Sequence, residues 1–363
     1  MAAASAREES GKNVLHMEVG QPGTPAPAAA REAAHRALDS DHLGYTLALG
    51  IPQLRDRLSQ HYKDTYGLDV PSSRIVVTTG SSGAFVVSFL SVFDEGARVA
   101  LADPGYPAYR NILKSLGIEV IGLPVGPENN FQPTPESLEK IEGELDGLII
   151  ASPSNPTGTM IARDEMEALV SYCKERDIRL ISDEIYHGVT YEQPACSVLA
   201  FSDDAIIINS FSKYFSMTGW RLGWMVVPET LTRSVECLSQ NLFISPPTLS
   251  QLAGVAAFDC AEELDGLVVN YRRNRDLLLE MLPKAGFDKL SKAEGAFYLY
   301  ADVSHMTNDS QEFCRRCLAE TGVAITPGID FDPQRGHQTV RFSFAGPYED
   351  MAEAGKRLIN WKR

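Results

Sequence analysis

The sequence predicts an α/β fold: a large domain on a mostly parallel seven-stranded sheet covered by helices, with a smaller α+β domain beside it. Three observations carry this. From about residue 73, short apolar runs rich in Val and Ile alternate with helical patterns. Those runs are apolar on consecutive positions rather than on every second one, as expected of strands buried on both faces. After about residue 229 the pattern turns to long helices and then to scattered short strands.

The strands are expected in the order "RIVVTTG", "ARVALADPG", "GIEVIGLPV", "LDGLIIASP", "IRLISDE", "AIIINSFSK" and "GWMVVP". A helix over Ser81–Phe93 follows the first, and an acidic-capped helix over Asp164–Arg176 follows the fourth. Helices are expected near 229–240, 247–262, 265–283 and 310–321, with one more at the end. The large domain is expected at 46–265. The small domain takes 266–363 and also 1–45, where the turn chemistry of "GQPGTPAP" precedes a helix that packs with the C-terminal part.

Composition narrows the function. The 363 residues are 44% hydrophobic and 22% charged, as in an ordinary globular protein. A net charge of -15 argues against a nucleic-acid partner, since phosphate backbones favour basic faces. No apolar run reaches membrane-span length, so no membrane partner is expected. The start, "MAAASAREESGKN", lacks the apolar core of a signal peptide and reads as a short disordered lead. Six scattered cysteines suggest reduced thiols and a cytoplasmic location. Cys314 and Cys317 form a C-x-x-C, but they fall on one face of an amphipathic helix with Phe313 and Leu318. They read as packing, and no metal site is expected.

In a sheet of this type ligands bind beyond the carboxyl ends of the strands. After "IVVTT" come Gly80, Ser81 and Ser82, opening a helix whose N-terminus favours an anion. Tyr106 follows "VALADPG" and offers a ring for stacking. Asn155 follows "LIIASP" in a tight Asn-Pro-Thr-Gly turn. Asp183 and Tyr186 follow "IRLIS", and a carboxylate ending a buried strand needs a partner. Ser210, Ser212 and Lys213 follow "AIIIN", with Arg221 just before the last strand. Each residue alone has an ordinary reading as a cap, a turn or a packed side chain. Together, at one sheet edge, they suit pyridoxal phosphate. Lys213 supplies the amine for a Schiff base with its aldehyde. Asp183 pairs with the ring nitrogen, a contact worth up to roughly 5 kcal/mol at an effective dielectric of about 20. Tyr186 and Asn155 bond the phenolate oxygen and Tyr106 stacks on the ring. Ser81, Ser82, Ser210, Ser212 and Arg221 hold the phosphate, Arg221 as a two-pronged fork.

These segments resemble the fold-type I, pyridoxal-phosphate-dependent aminotransferases of the class I/II, aspartate aminotransferase-like group. The matching stretches are "GYTLALGIPQLRDRL", "TTGSSGAF", "DPGYPAY", "SPSNPTG", "SDEIY", "SFSKYFSMTGWRLGW", "GVAITPG" and "VRFSFA", from Gly20 to about Ala345. The resemblance implies that Lys213 is the Schiff-base lysine and agrees with the roles given to Asp183, Tyr186, Asn155 and Arg221. It further implies that Arg341 grips the substrate α-carboxylate and that Gly20 lies near it. It implies a homodimer in which Tyr45 reaches the phosphate of the neighbouring subunit. The lead before Gly20 is short for this family, which puts in doubt an N-terminal arm over the site.

The implied reaction is transamination from an L-amino acid to a 2-oxo acid by a ping-pong mechanism, with Lys213 as the base that moves the α-proton. β-Elimination or other α-carbon chemistry on the same scaffold is an alternative, as are a non-catalytic ligand sensor and a structural dimer. The stretch "QNLFISPPTLSQ" is expected to face the substrate with Asn241, Phe243 and Ile244. It carries no cation for a side-chain carboxylate, so a neutral or aromatic donor is expected, with 2-oxoglutarate or pyruvate as acceptor.

Overall fold

A computed structural model describes residues 1–362 of the chain. The large sheet contains β1 (Ile75–Thr78), β2 (Arg98–Asp103), β3 (Glu119–Pro124), β4 (Gly147–Ala151), β5 (Arg179–Asp183), β6 (Ile206–Ser210) and β7 (Gly223–Val226). Its spatial order is β1-β7-β6-β5-β4-β2-β3. β7 runs antiparallel to both neighbours, β1 and β6, and the other pairings are parallel. All seven expected strands are present, each a residue or more shorter than its apolar run.

The consecutive apolar runs are explained by cover on both faces. Ile206 and Ile208 join one core with Val76, Phe85 and Phe89, while Ile207 joins the other with Val77, Leu169 and Phe211. All three isoleucines are fully buried, each contributing about 1.5–3 kcal/mol relative to exposure. The covering helices include Gly80–Val92, Pro107–Ser115 and Arg163–Glu175.

Register fixes the working edge. Ala151 pairs with Asp183, and Asp183 with Ile208. Thr78 and Ser210 both pair with Gly223, the first residue of β7. The carboxyl ends of β1, β4, β5 and β6 therefore open onto one place.

The small domain is built on an antiparallel sheet of Lys289–Leu290, Tyr298–Asp302, Thr326–Pro327 and Thr339–Ser343. Its core gathers Phe287, Phe297, Leu299, Phe342 and Leu358. The first 45 residues divide between the two domains. Leu15–His16 pairs with Val323–Ala324, but the helix Ala28–Ser40 buries Ala30 and Ala34 in the large-domain core. Alanine on its buried face lets that helix approach the Thr248–Ala257 helix closely. The expected packing of this helix with the C-terminal part is thus corrected. The other expected limit, at 265, falls inside one helix, Ala261–Lys284. Leu264 of that helix sits in the large-domain core, and Tyr271, Leu278 and Leu282 sit in the small-domain core.

The lead is a second correction. Ala2–Glu9 is a helix rather than a disordered segment. Its alanines favour helix, and Ala4 is buried against Val14 and Ala324 while Arg7 bonds the Ala319 carbonyl at 3.1 Å. Cys314 and Cys317 are buried on one face of the Ser310–Thr321 helix. Among the described residues no helix is long and apolar enough to cross a membrane, and no acidic, histidine or cysteine cluster suits a metal ion.

Candidate active site

A cavity of about 520 Å³ opens at the working edge. Gly20, Ser81, Ser82, Tyr106, Asn155, Asp183, Tyr186, Ser212, Lys213, Arg221 and Arg341 all line it. Two expected residues do not. Ser210 is buried behind Ser212, its hydroxyl 2.8 Å from Ser212 Oγ and 3.1 Å from the Leu222 carbonyl, so it supports the turn and does not reach the cavity. Tyr45 is 83% exposed and away from this chain's own cavity.

The turn carrying Lys213 is anchored from below. Phe211, Phe215 and Met217 are buried, the Met217 amide bonds the Phe211 carbonyl at 3.0 Å, and the Phe211 amide bonds the Leu222 carbonyl at 3.1 Å. Apolar residues fill the underside and the serines with Lys213 are left above. Lys213 Nζ donates to the Gly20 carbonyl at 2.6 Å. Burial pushes its amine down to about 8; Arg341 and Arg221 push the same way and Asp183 opposes them.

Asp183 closes the opposite wall. The Tyr109 hydroxyl and the Ile185 amide donate to it, the latter at 3.1 Å. Burial lifts its carboxyl to about 6 despite those donors and Lys213. Tyr186 shares a 2.7 Å hydrogen bond with Tyr298, and burial raises both phenols. Asn155 sits in its turn as expected: the Gly158 amide bonds the Ser154 carbonyl at 2.8 Å. The Asn155 amide oxygen accepts from Arg341 Nη1 at 2.8 Å. Arg341 Nη2 donates to the Glu18 carbonyl at 2.8 Å, and the guanidinium lies 4.3 Å from the Tyr298 ring.

At the third side, the Gly80–Val92 helix points its N-terminus into the cavity with Ser81 and Ser82. Gly80 has φ +73, and a Cβ there would lie 2.6 Å from Arg221 Nη2. Glycine thus lets the Arg221 guanidinium rest against the helix start, where two features that favour an anion coincide. Gly20 is equally constrained, since a Cβ would lie 2.3 Å from the Tyr298 hydroxyl.

An anion seat, an amine of lowered basicity and a buried carboxylate on three walls of one cavity fit pyridoxal phosphate by the chemistry of the donors. Sequence reasoning missed Tyr109 and Tyr298. Tyr109 was visible as the second aromatic of "DPGYPAY", three positions after Tyr106. Tyr298 comes from the small domain, and only its strand pairing with Ser343 brings it here. The stretch 240–251 does not line this chain's cavity. Phe243 packs on the core, the Asn241 amide bonds the Cys237 carbonyl at 2.7 Å, and Ile244 is exposed. The expectation that it faces the substrate does not hold within one chain, because the Thr232–Phe243 helix carries it away.

Comparison with known proteins agrees with this geometry. The family model "Aminotransferase class I and II" matches residues 12–358. The chain is 50% identical to the valine–pyruvate aminotransferase of Mycobacterium tuberculosis, over 99% of this chain and 94% of that one. A crystal structure of an aminotransferase from Mycobacterium tuberculosis is similar with a TM-score of 0.97 at 49% identity, covering 99% of this chain and 94% of the other. Thermus thermophilus aspartate aminotransferase with maleate follows with a TM-score of 0.91 at 32% identity, over 99% and 94%. Family match, near-complete coverage and a cavity suited to pyridoxal phosphate lead to one conclusion: the chain belongs to the class I and II aminotransferases, and pyridoxal phosphate is its cofactor.

Proposed function

We propose that this aminotransferase takes a neutral or aromatic L-amino acid as donor and a 2-oxo acid such as pyruvate as acceptor, in a ping-pong cycle. One observation carries the reading. Among the described residues of this chain, the cationic side chains lining the cavity are Lys213, Arg221 and Arg341, and each has a task. Arg221 lies at the helix N-terminus with the phosphate seat. Lys213 is the amine. Arg341, buried between the Asn155 oxygen and the Glu18 carbonyl, faces the α-carboxylate. Among these side chains of one subunit, none is left for a side-chain carboxylate. The valine–pyruvate specificity in the name of the 50% identical relative supports the same class.

The cofactor, when bound, supplies the electron sink that makes the α-proton acidic. The residues of this chain do the rest. Asp183, ionised among its donors, holds a positive charge at its wall. Tyr186 and Asn155 would hold the cofactor's ring oxygen by hydrogen bonds, and Tyr106 would lie against the ring. Lys213 Nζ, held 2.6 Å from the Gly20 carbonyl, would be the base that takes up and returns the substrate's α-proton. The lowered basicity of Lys213 leaves more free amine at neutral pH than an exposed lysine has.

The working unit in this reading is a homodimer. The Thr248 hydroxyl bonds the Gly44 carbonyl at 2.6 Å, which brings the 44–47 stretch beside 242–248. Tyr45, Leu47, Leu242 and Ile244 are all exposed there, an apolar strip that suits a second copy carrying Tyr45 to the partner's phosphate seat. All six cysteines are free thiols, which supports a cytoplasmic location.

The test is the half-reaction, followed by the visible spectrum of the holoenzyme with valine, phenylalanine, aspartate and glutamate in turn. The neutral donors are expected to convert the bound cofactor at least about tenfold more efficiently, ~1.4 kcal/mol in the barrier. Faster conversion by aspartate would overturn the donor class. Formation of a 2-oxo acid without loading of the cofactor with an amino group would instead indicate a lyase.

A further inference from the structure

Asp183 is followed by a second buried carboxyl, Glu184, which the reaction does not use. Its two oxygens differ. Oε1 accepts from the Val198 amide at 2.9 Å, the Ser197 hydroxyl at 3.1 Å and the Ser182 hydroxyl at 3.3 Å. Oε2 is buried with no hydrogen-bond partner and lies 3.5 Å from His187 Nδ1.

The hydrogens around it can be assigned from the neighbours. His187 Nε2 is 3.0 Å from the Ser152 carbonyl, which only accepts, so Nε2 carries a hydrogen. The Tyr66 hydroxyl is 2.8 Å from Nδ1. In an ion pair, Nδ1–H would point at the Tyr66 oxygen. The Tyr66 hydrogen would then lack an acceptor, and Glu184 Oε2 would be a charged oxygen with no donor. In the neutral arrangement Tyr66 donates to Nδ1, and only a carboxylic O–H is left without an ideal partner. An unmatched charge is far more costly to bury than an unmatched hydroxyl. Burial acts the same way, lifting Glu184 to about 8 and lowering His187 to about 3. Asp183, by contrast, has a donor on each oxygen and Lys213 nearby, whereas all three donors to Glu184 fall on Oε1, so the adjacent carboxyls divide their roles.

We propose that Glu184 is a positioning residue for transamination: a neutral carboxylic acid with its proton on Oε2, buried under the site so that Asp183 stands as the one negative charge on the cavity wall. Asp183 is the sole carboxylate among the described residues that line the cavity. A second charge one residue behind it would raise its proton affinity and blur the field at its wall. The proposal rests on the assignment of Asp183 to the cofactor's ring nitrogen.

The test is infrared spectroscopy of the holoenzyme at pH 7, unlabelled and with carboxyl-13C glutamate. The expected result is the carbonyl band of a protonated acid that shifts with the label and is lost in Glu184→Gln. Glutamate labelling separates it from Asp183 and works even if the variant does not fold. In Glu184→Gln, which is neutral and of similar shape, the pH midpoint of the cofactor's absorption is expected to stay within about half a unit of wild type. Absence of the band overturns the proposal. So does a shift of about one unit or more in that midpoint, since it would mean that a charge had been removed. Asp183→Asn tests the underlying assignment by itself. Wild-type turnover in that variant would sink the role of Asp183 and leave the Glu184 band as it was.

Discussion

Lys213 is held between opposing demands. Its amine donates to the Gly20 carbonyl at 2.6 Å, yet burial and two arginines disfavour its charge. A lysine whose folded pKa lies near 8, below the ordinary 10.5, weighs against the folded state at every pH below about 8. That penalty is relieved as pH rises through the window between those values. Lys213→Ala is therefore expected to abolish transamination while the apoprotein becomes more stable at pH 7, by about 1 kcal/mol in denaturant unfolding. In the wild type, the rate of cofactor uptake by the apoprotein should climb between pH 7 and 9 and then level off, as the free amine becomes the major form. A flat profile over that range would contradict the assignment of the lowered pKa to this amine. Lys213, Asp183 and Arg221 could be placed at one sheet edge from the sequence because each lies at or within a few residues of a strand end. Ser210 was over-read. Its serine pattern matched an anion seat, but the turn after β6 leaves Ser212 at the cavity and Ser210 behind it, its hydroxyl tied to Ser212 and to the Leu222 carbonyl. Glu184, beside Asp183 at the same strand end, had no role in the sequence reading, and it does not line the cavity.

At the scale of elements, the Gly80–Val92 helix shows how a single atom of space matters. Gly80→Ala would force a Cβ to within 2.6 Å of Arg221 Nη2, at a φ that side chains rarely adopt. The helix start and Arg221 could no longer meet, and cofactor affinity is expected to fall about tenfold, ~1.4 kcal/mol, by equilibrium dialysis. A substitution that left affinity untouched would remove Arg221 from the phosphate seat. Most of the sheet strands were readable because burial on both faces makes them continuous apolar runs; β3, at the sheet edge, is largely half-buried or exposed. The lead helix was not, since its stability comes from Ala4 docking on Val14 and Ala324, a contact made across more than 300 positions. The Ala28–Ser40 helix was misplaced for a similar reason: alanine-rich faces do not announce which neighbour they fit.

For the whole molecule, the exposed Tyr45 gives the dimer reading a sharp test. Lys213→Ala and Tyr45→Ala subunits, each inactive or weak alone, should regain activity when mixed and re-associated. If Tyr45 serves the partner's cavity, one type of mixed dimer site has both Lys213 and a partner's Tyr45. Recovery to about a quarter of wild-type activity is then expected on random mixing, given that statistical assembly makes half the molecules hybrid and each hybrid has one intact site. No recovery would place Tyr45 outside the neighbouring site. None of this assembly was derivable from periodicity, because a single chain's pattern records its own core and not the surface it offers to a copy.

The helix Ala261–Lys284 belongs to neither domain alone. Its first turn is fixed among large-domain residues through Leu264, and its later turns carry the small-domain core through Tyr271, Leu278 and Leu282. Between those anchors lies Gly266, where an added methyl group would touch nothing within 4 Å. No packing reason requires glycine there, and in a helix interior it gives up roughly 1 kcal/mol relative to alanine. The helix is thus a drive shaft with a compliant coupling near one end. Any swing of the small domain that carries Arg341 and Tyr298 towards Lys213 must twist this shaft, and the twist concentrates where the shaft is softest. The two cores are thus joined through a helix whose softest point, Gly266, lies outside the cavity.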